Sequence, residues 1–364
     1  MSDFRVALDV TMARFGRTGP AVYADRLATA LAAVLGDRLV CLASDLAVPA
    51  TARRTTADRA RTLGRDLWWH QIGVTQAALR AGTALVHLPA GLGPVQSRLP
   101  MVVTIHDTIV LRFPHLFRPW HRHYTRFVLP RLARAAAAVI TGSETTRATI
   151  VEDLRVPLDR ITVVPYGVDA LFGPVLAESD EARAVVARYQ LPADFVLTVG
   201  AVEPRKNLTR IIDAVHRLRE HRATAAITLV HVGPEGWLSD DVPRDATRFL
   251  GYVPAADLRV LYGLARVLVY PSLWEGFGLP VLEAMACGCP VVTSSVSALP
   301  EVAGGAALLV DPTKVEELGA AIERVWTDEN LWRELSARGR ERARTFTWER
   351  TAHATVAVYE RVAG

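Results

Sequence analysis

The sequence predicts an α/β protein made of two doubly wound parallel-sheet domains that face each other across a cleft. Its 364 residues suit two domains, at roughly 150 residues per domain. Half of the residues are hydrophobic and 22% are charged, which suits large buried cores and excludes disordered and disulfide-stapled classes. Short β-branched segments alternate with helical patterns along the chain, as in parallel sheets covered by helices.

Six predicted strands in the first half are apolar on both faces, and each precedes a loop and a helical pattern. They are Phe4–Val10, Leu39–Ala43, Ala84–His87, Met101–His106, Ala138–Thr141 and Ile161–Val164. Six similar strands in the second half are Phe195–Val199, Ile227–Val232, Thr247–Leu250, Val267–Tyr270, Pro290–Thr293 and Ala306–Val310. Residues 165–174, between the two series of strands, contain several glycines and prolines, which indicates a domain linker. A helical pattern from about Trp348 to Val362 ends the sequence.

Charge and cysteine content exclude several other classes. The net charge of +4 is too small to indicate nucleic-acid binding. Three cysteines, Cys41, Cys287 and Cys289, cannot form a disulfide framework or a metal-binding quartet, and we expect the last two to be small buried thiols. Apolar stretches are shorter than the ~20 residues that span a bilayer, and no secretory signal is apparent. The sequence therefore predicts a soluble cytoplasmic protein.

The most informative segment runs from Glu275 to Glu283, directly after a predicted strand. Gly276 and Gly278 precede a helix whose start suits Pro280. Bare backbone at a helix start lets N–H groups face an anion, and the carboxylates lie about one short helix, ~12 Å, apart. This pattern favours a ligand with hydroxyl-rich groups at both ends and a phosphate between them.

A second segment, Glu203–Asn207, also follows a predicted strand. Arg205 and Lys206 place two adjacent cations before a helix, a pattern that can bind a diphosphate. We expect Asn207 to cap that helix through its side chain. Lys206 is one of only two lysines among 42 basic residues, which indicates that a compact point charge is needed there.

The first half contributes strand-end residues of its own. His106 ends the apolar strand that begins at Met101 and precedes an aspartate, so we expect it to project into the cleft; His87 closes another strand. Gly19 lies in the turn before the first helix, where it can approach a phosphate. Its spacing from Gly16 does not fit the dinucleotide-binding fingerprint, so a dehydrogenase is disfavoured.

Together, these segments resemble family 4 retaining glycosyltransferases of the GT-B fold. The resemblance is carried by Glu203–Asn207, Phe249–Val253, Tyr270–Gly288 and His106–Asp107. It extends from Thr18 to the C-terminal helix, and within the family it is strongest to bacterial mannosyltransferases that build surface polysaccharides. One position departs from the family pattern: Ala21 stands where the glycine-rich loop often has a second glycine after Gly19.

The resemblance implies a role for each matched residue. Arg205 and Lys206 would hold the donor diphosphate and stabilise the charge of the leaving group. Glu275 would bind hydroxyls of the donor sugar, and Glu283 those of ribose. His106 would lie beside the reacting sugar, which gives four implied catalytic residues: His106, Glu275, Arg205 and Lys206. The remaining implied donor-binding positions are Gly19, Val253, Phe277, Gly278 and Leu279.

The resemblance also implies domains and a reaction. Residues 1–168, joined by the C-terminal helix 346–364, would form the acceptor domain, and residues 169–345 the nucleotide-sugar donor domain. The implied reaction moves a hexose, most simply mannose from GDP-mannose, to a glycan or lipid-linked acceptor in surface polysaccharide biosynthesis. Such enzymes generally need no metal and no cofactor besides the nucleotide sugar, and the leaving phosphate accepts the acceptor's proton.

Three alternatives remain open: a UDP-sugar donor, a GT-B epimerase or phosphorylase, and a non-catalytic nucleotide-sugar-binding scaffold. No pattern identifies the acceptor-binding residues. Two arginine-rich stretches with aromatic residues, Arg53–Trp69 and Arg112–Arg134, predict peripheral contact with an anionic membrane at its inner face. A solvated helix face whose aromatic residues lie in the core is the alternative interpretation of these stretches.

Overall fold

The computed structural model of the chain describes residues 4–14, 18–44, 64, 67–117, 119–235 and 247–364. The chain divides into two compact units: Met1–Gly167 together with Trp348–Gly364, and Val168–Thr347. The predicted boundaries, after residue 168 and before residue 346, lie within two residues of these bounds. The acceptor and donor roles given to the two domains stay predictions.

The first unit contains a six-stranded parallel sheet in the order β2-β1-β3-β4-β5-β6. Its strands are β1 (Val6–Asp9), β2 (Leu39–Leu42), β3 (Leu85–Leu88), β4 (Met101–Thr104), β5 (Ala138–Thr141) and β6 (Ile161–Val163). The four inner strands are buried throughout, whereas the edge strands β2 and β6 are partly exposed. Burial on both faces explains why these strands are continuously apolar in sequence.

The helices of the first unit's N-terminal segment connect these strands. They are α1 (Gly19–Leu35), α2 (Val74–Arg80), α3 (Ile109–Arg112), α4 (Pro119–Phe127), α5 (Leu129–Ala135) and α6 (Glu144–Thr149). A π-helical turn, Trp69–Gly73, precedes α2, and another, Ile150–Leu154, follows α6. The α6 helix begins after Ser143, whose hydroxyl accepts a hydrogen bond from the Thr146 amide and so caps the helix.

The second unit contains another six-stranded parallel sheet, in the order β12-β11-β10-β7-β8-β9. Its strands are β7 (Val196–Val199), β8 (Leu229–Val232), β9 (Thr247–Phe249), β10 (Val267–Tyr270), β11 (Val291–Ser294) and β12 (Leu308–Val310). All twelve predicted strands are present, with ends that shift by at most two residues. The predicted α/β class with two parallel sheets is confirmed.

The remaining helices lie in the second unit, except the last one, which belongs to the first unit. They are α7 (Asp180–Tyr189), α8 (Leu208–Arg219), α9 (Ala255–Leu264), α10 (Leu279–Ala286), α11 (Leu299–Ala303), α12 (Val315–Thr327), α13 (Glu329–Arg344) and α14 (Trp348–Ala363). Helix α14 packs against α1. Cys287 and Cys289 are buried, as predicted. In the ranges that the structure describes, no helix is both long and apolar enough to cross a membrane.

Candidate active site

Two loops at the carboxyl edge of the second sheet carry the charged residues that the sequence identified. Arg205 and Lys206 lie on a 3₁₀ turn after β7, and Glu275 lies in the loop between β10 and α10. Strands β7 and β10 are neighbours, so their loops leave the sheet side by side. The amide of Leu273 donates to the carbonyl oxygen of Arg205 at 2.9 Å and joins the two loops. The structure therefore brings the predicted cations and carboxylate into one cluster.

The Glu275 carboxylate is bound by both cations. Its Oε2 lies 2.7 Å from Arg205 Nη1, and its Oε1 lies 2.7 Å from Lys206 Nζ. Its backbone N–H donates to Ser297 Oγ at 3.1 Å. Burial raises the pKa of this carboxyl, but the charges of Arg205 and Lys206 outweigh burial and hold the pKa at about 2. Glu275 is therefore ionised at neutral pH, although only 11% of its side chain is exposed.

Tyr270, the last residue of β10, completes this cluster and was missed by the sequence analysis. Its hydroxyl donates to Glu275 Oε1 at 2.9 Å and accepts from Lys206 Nζ at 2.5 Å. The ammonium nitrogen also lies 4.7 Å from the centre of the tyrosine ring, a cation–π contact. Burial and then the charge of Arg205 lower the pKa of Lys206, while Glu275 opposes them. The position of Tyr270 at a strand end before Glu275 was the signal that could have identified it.

Arg205 is held by a second carboxylate and by backbone. Its Nη2 lies 3.5 Å from Glu203 Oε2, and its Nη1 donates to the carbonyl oxygen of Trp274 at 3.1 Å. A side chain at Gly200, at the end of β7, would approach Lys206 Cε to 3.1 Å. The two cations and two carboxylates of this group have formal charges that cancel, so the cluster is neutral when all four are ionised.

Asn207 lies directly before α8, as predicted, but its side chain does not act as predicted. Its amide nitrogen donates to the carbonyl oxygens of Pro271, at 3.1 Å, and Pro312, at 2.6 Å. Its Oδ1 accepts a hydrogen bond from Arg210 at 2.8 Å, and its backbone is left-handed with φ +62°. The prediction of a side-chain cap was wrong because the buried amide instead ties two distant loops to the helix start.

The start of α10 contains three predicted donor-binding residues: Phe277, Gly278 and Leu279. Gly278 has φ +120°, which favours glycine, and a side chain there would approach Leu299 Cδ2 to 2.7 Å. Phe277 is buried and packs edge-on against Phe346, with ring centres 6.0 Å apart. Leu279 is the first residue of the helix. These residues present backbone at a helix start, and their contacts with a donor stay predictions.

Glu283, the second carboxylate of the segment, lies on α10 in a different environment. Its Oε2 accepts a hydrogen bond from the hydroxyl of Tyr262 on α9 at 3.0 Å. Burial raises the pKa of Glu283 to about 7, and the nearby Asp169 carboxylate adds to this effect. Tyr262 was not predicted from the sequence, because a tyrosine inside a helical pattern gives no signal of its partner. Glu283 therefore changes its charge near neutral pH, unlike Glu275.

Val253 is buried between β9 and α9. The loop before it contains Gly251, with φ +66°, whose carbonyl oxygen accepts from the Gly233 amide at 2.8 Å. A side chain on Gly233 would lie 1.9 Å from the carbonyl oxygen of Gly200, so the ends of β7 and β8 approach each other through glycine. The predicted contact of Val253 with the donor stays a prediction.

His106 follows β4 in the first unit and is hydrogen-bonded at both ring nitrogens. Its Nε2 lies 2.8 Å from the carbonyl oxygen of Pro89, and its Nδ1 lies 2.8 Å from the hydroxyl of Tyr166. Burial lowers the pKa of His106 to about 4, so the ring is neutral at pH 7. The predicted contact with a reacting sugar stays a prediction. Tyr166 was not predicted from the sequence as a partner of His106.

The other two first-unit residues differ in their surroundings. His87 is fully buried in β3, where its ring nitrogens lie 2.6 Å from the hydroxyl of Tyr359 and 2.8 Å from that of Thr104. It is therefore part of the core. Gly19 is exposed at the start of α1, and within the described residues a side chain there would meet open space. Gly16 lies outside the described residues.

Comparison with known proteins agrees with these features. Residues 17–170 match the profile described as Glycosyltransferase Family 4, and residues 185–344 match that of Glycosyl transferases group 1. The sucrose-phosphate synthase from Thermosynechococcus elongatus has the same fold, with a TM-score of 0.75 over 99% of both chains at 23% identity. The two family profiles and this fold together identify a glycosyltransferase with the GT-B fold.

Relatives with similar sequences narrow the assignment within the glycosyltransferases. The chain is 36% identical over 270 residues to the O-antigen chain mannosyltransferase B of Escherichia coli. The aligned region covers 71% of this chain and 70% of that protein. The chain is also 32% identical over 272 residues to the serotype-specific mannosyltransferase WbdA of Escherichia coli, covering 72% of this chain but 33% of that longer protein. The chain belongs to glycosyltransferase family 4.

Proposed function

We propose that this glycosyltransferase moves mannose from GDP-mannose, with retention at the anomeric carbon, to a glycan or lipid-linked acceptor during surface polysaccharide biosynthesis. The observation that carries the proposal is the buried group in which Arg205 and Lys206 share the carboxylate of Glu275. The mannosyltransferases of Escherichia coli to which the chain is similar support mannose as the sugar.

The charges of this group suit a nucleoside diphosphate. Without a ligand, the two cations are neutralised by Glu275 and Glu203. A diphosphate bound to Arg205 and Lys206 would replace Glu275 as their counter-ion. The Glu275 oxygens would then accept hydrogen bonds from hydroxyls of the donor sugar. The same two cations would stabilise the charge that grows on the leaving diphosphate, which is the main electrostatic requirement of the reaction.

Glu283 suits the other end of the donor. Its carboxylate is partly buried on α10, where Glu283 is the fifth of eight residues, about one helical turn beyond the loop that contains Glu275. An ionised carboxylate accepts hydrogen bonds from a diol at both oxygens, so Glu283 would hold the two ribose hydroxyls. The backbone at the start of α10, residues Phe277–Leu279, would face the sugar and the phosphate between the two carboxylates.

The reaction itself needs little covalent help from side chains. The bond from the anomeric carbon to the diphosphate oxygen breaks, and the acceptor hydroxyl bonds to the same carbon on the same face. The acceptor's proton passes to the departing phosphate oxygen. Because Arg205 and Lys206 supply the positive charge, we propose that transfer needs no metal cofactor.

A transfer assay tests this proposal. Purified protein is incubated with GDP-mannose and mannose-terminated acceptors, with and without a metal chelator, and the product anomer is determined by NMR. We expect α-linked product that is insensitive to chelation and is lost in K206A. The matched control K314A changes the chain's other lysine, which lies outside the cluster, and should retain activity. Preference for a UDP-sugar, phosphate-dependent cleavage, or binding without transfer would each refute the GDP-mannose transferase proposal.

We also propose that the enzyme works in the cytoplasm and contacts the inner membrane face through its first unit. Trp68, Ile72 and Leu79 are 52%, 46% and 42% exposed, and their spacing of four and seven residues favours one side of the helical segment. Exposed Phe127 lies beside the guanidinium of Arg126. Exposed apolar side chains with neighbouring cations suit an anionic lipid surface. Most of the first predicted stretch, residues 53–63 and 65–66, lies outside the described residues, as do Arg118 and the side chain of Trp120 in the second.

Flotation with vesicles of anionic phospholipid tests the membrane contact. The wild-type protein should float with the vesicles at physiological salt, and the variants W68D and I72D should not. L176D is the matched control, because Leu176 is an equally apolar, exposed side chain in the second unit. Wild-type protein that stays in the dense fraction, or equal loss of flotation in L176D, would contradict the proposal.

A further inference from the structure

The ends of four neighbouring strands meet around the ring of His106. In the order β3-β4-β5-β6, the residues that follow these strands are Pro89, His106, Gly142 and Tyr166. The imidazole of His106 bonds to the first of the four on one side and to the last on the other, each at 2.8 Å. A single ring thus joins loops that leave the sheet three strands apart.

The hydrogen-bond partners of the His106 ring determine which of its nitrogens carries the proton. A backbone carbonyl can only accept, so the bond to Pro89 requires the proton on Nε2. In the neutral ring, Nδ1 then carries a lone pair and accepts from the Tyr166 hydroxyl. Burial favours this neutral form, because it lowers the pKa of His106 to about 4. The titratable side chains around the ring are Tyr166, Tyr23, His87 and Asp107.

The position of Tyr166 is itself specified by its neighbours. Its ring crosses the end of β5 at Gly142, where a side chain would lie 2.8 Å from the tyrosine Cζ. Tyr23 on α1 packs against both rings, with centres 4.5 Å from Tyr166 and 4.9 Å from His106. Tyr166 and Tyr23 are buried, so the hydroxyl has one well-defined place at His106 Nδ1.

We propose that Tyr166 is a positioning residue of this glycosyltransferase, whose hydroxyl holds His106 as the neutral imidazole with its proton on Nε2. Both ring nitrogens are then engaged inside the first unit, and His106 supports the site by its position and does not take a proton from the acceptor. This inference rests on the proposed function through the predicted place of His106 beside the reacting sugar. It agrees with a reaction in which the leaving phosphate accepts that proton.

Nitrogen-15 NMR on protein labelled at its ten histidines tests the tautomer without any substrate. We expect His106 in the wild type to show a protonated Nε2 and a bare Nδ1, without titration, from pH 6 to pH 8. In Y166F the neutral form loses a hydrogen bond, so the pKa of His106 should rise and a form protonated at Nδ1 should appear. A wild-type ring protonated at Nδ1, or a mixture of tautomers, would overturn the proposal even if Y166F failed to fold.

Kinetics separate positioning from stability. We expect kcat of Y166F to fall between about threefold and tenfold, the effect of one lost hydrogen bond, with the donor KM nearly unchanged. Y359F is the matched control, because it removes another buried tyrosine hydroxyl from a histidine Nδ1, that of His87, in the same unit. It should lower the melting temperature similarly but keep kcat and the His106 signals. An unchanged kcat in Y166F, or an equal fall in Y359F, would overturn the proposal.

The two parts of the test also distinguish this inference from the proposed function. Absence of transfer with every donor would count against the proposed function, while the NMR result would still decide the tautomer of His106. A correct tautomer with unchanged Y166F kinetics would leave the transferase intact and refute the positioning role.

Discussion

Replacing Glu275 with glutamine removes a negative charge that lies 2.7 Å from each of two cations. Glutamine keeps the shape of the side chain but leaves Arg205 and Lys206 to repel each other. The pKa of Glu275 is about 2, against 4.5 for an unperturbed glutamate, so ionisation stabilises the folded protein. The difference of roughly 2.5 units corresponds to about 3 kcal/mol, in order of magnitude, because each unit is worth ~1.36 kcal/mol. The side chain is nearly buried, so solvent screening is small.

The pH dependence of this stabilisation has a definite sign. The folded-state pKa is depressed, so the contribution is fully present above pH 4.5 and is lost as the pH falls toward 2. At pH 7 the E275Q variant should therefore unfold more easily by about 3 kcal/mol, which for a unit of this size is a fall in melting temperature of about 6–12 °C. The gap between wild type and variant should narrow below pH 4.5.

Urea unfolding and calorimetry at pH 7 and at lower pH measure both effects. E316Q is the matched control, because Glu316 pairs with Arg217 at the surface, with 74% of its side chain exposed. Its replacement should change the melting temperature little. A second consequence follows from the same charges: E275Q should bind free GDP more tightly than the wild type, since the diphosphate no longer competes with the carboxylate. Stability of E275Q equal to that of the wild type at pH 7 would refute the reasoning.

Three further predictions follow from the hydrogen bonds of the second unit. Because the pKa of Glu283 is about 7, its ionised fraction and hence the affinity for GDP should rise by about tenfold from pH 6 to pH 8. The E283Q substitution should abolish this rise. A flat pH profile of wild-type GDP affinity in titration calorimetry would contradict the prediction. Y270F should lower transfer by about tenfold while circular dichroism stays unchanged, because the hydroxyl that bridges the carboxylate and the ammonium is lost; full activity would be the contrary result. N207A should cost about 2–3 kcal/mol in urea unfolding, because two buried carbonyl groups lose their donor, and a loss below about 0.5 kcal/mol would show that water replaces the amide.

The fold could be predicted because its strands are specified locally. Segments such as Ala138–Thr141 and Val267–Tyr270 have the observed bounds, since β-branched residues that are apolar on both faces suit a strand covered by helices on both sides. Other strands, such as Leu229–Val232, begin two residues later than predicted. Apolar residues continue beyond the hydrogen-bonded ladder, and composition alone does not distinguish them from the strand.

The site could be predicted only in part, because the order of the strands in the sheet determines which of its residues contact each other. Arg205 and Glu275 are 70 positions apart, and their contact depends on β7 lying beside β10, which no local pattern states. Strand-end position and charge were enough to identify the members. The hydroxyls that complete the site belong to Tyr270, which contacts Glu275 and Lys206, and Tyr262, which contacts Glu283. In the sequence, both tyrosines have the pattern of ordinary core residues.

Asn207 is a second residue whose partners could not be predicted from the local sequence. Its residue type and its place before α8 are those of a helix cap, and local reasoning stops there. Two carbonyl groups from loops after β10 and β12 offer its amide better-buried partners, at 3.1 and 2.6 Å. A tertiary contact therefore replaced the predicted local one at Asn207. Tertiary contacts also determine the partners of His106, which follow β3 and β6.

Isothermal titration of GDP-mannose, GDP, UDP-glucose and UDP into the wild type and K206A tests the central claim most directly. We expect GDP-mannose and GDP to bind the wild type in preference to the uridine nucleotides. We also expect K206A to lose this binding and K314A to keep it. Well-folded wild-type protein that binds none of these nucleotides, or K206A that binds GDP-mannose as the wild type does, would contradict the donor site assigned to Arg205, Lys206 and Glu275.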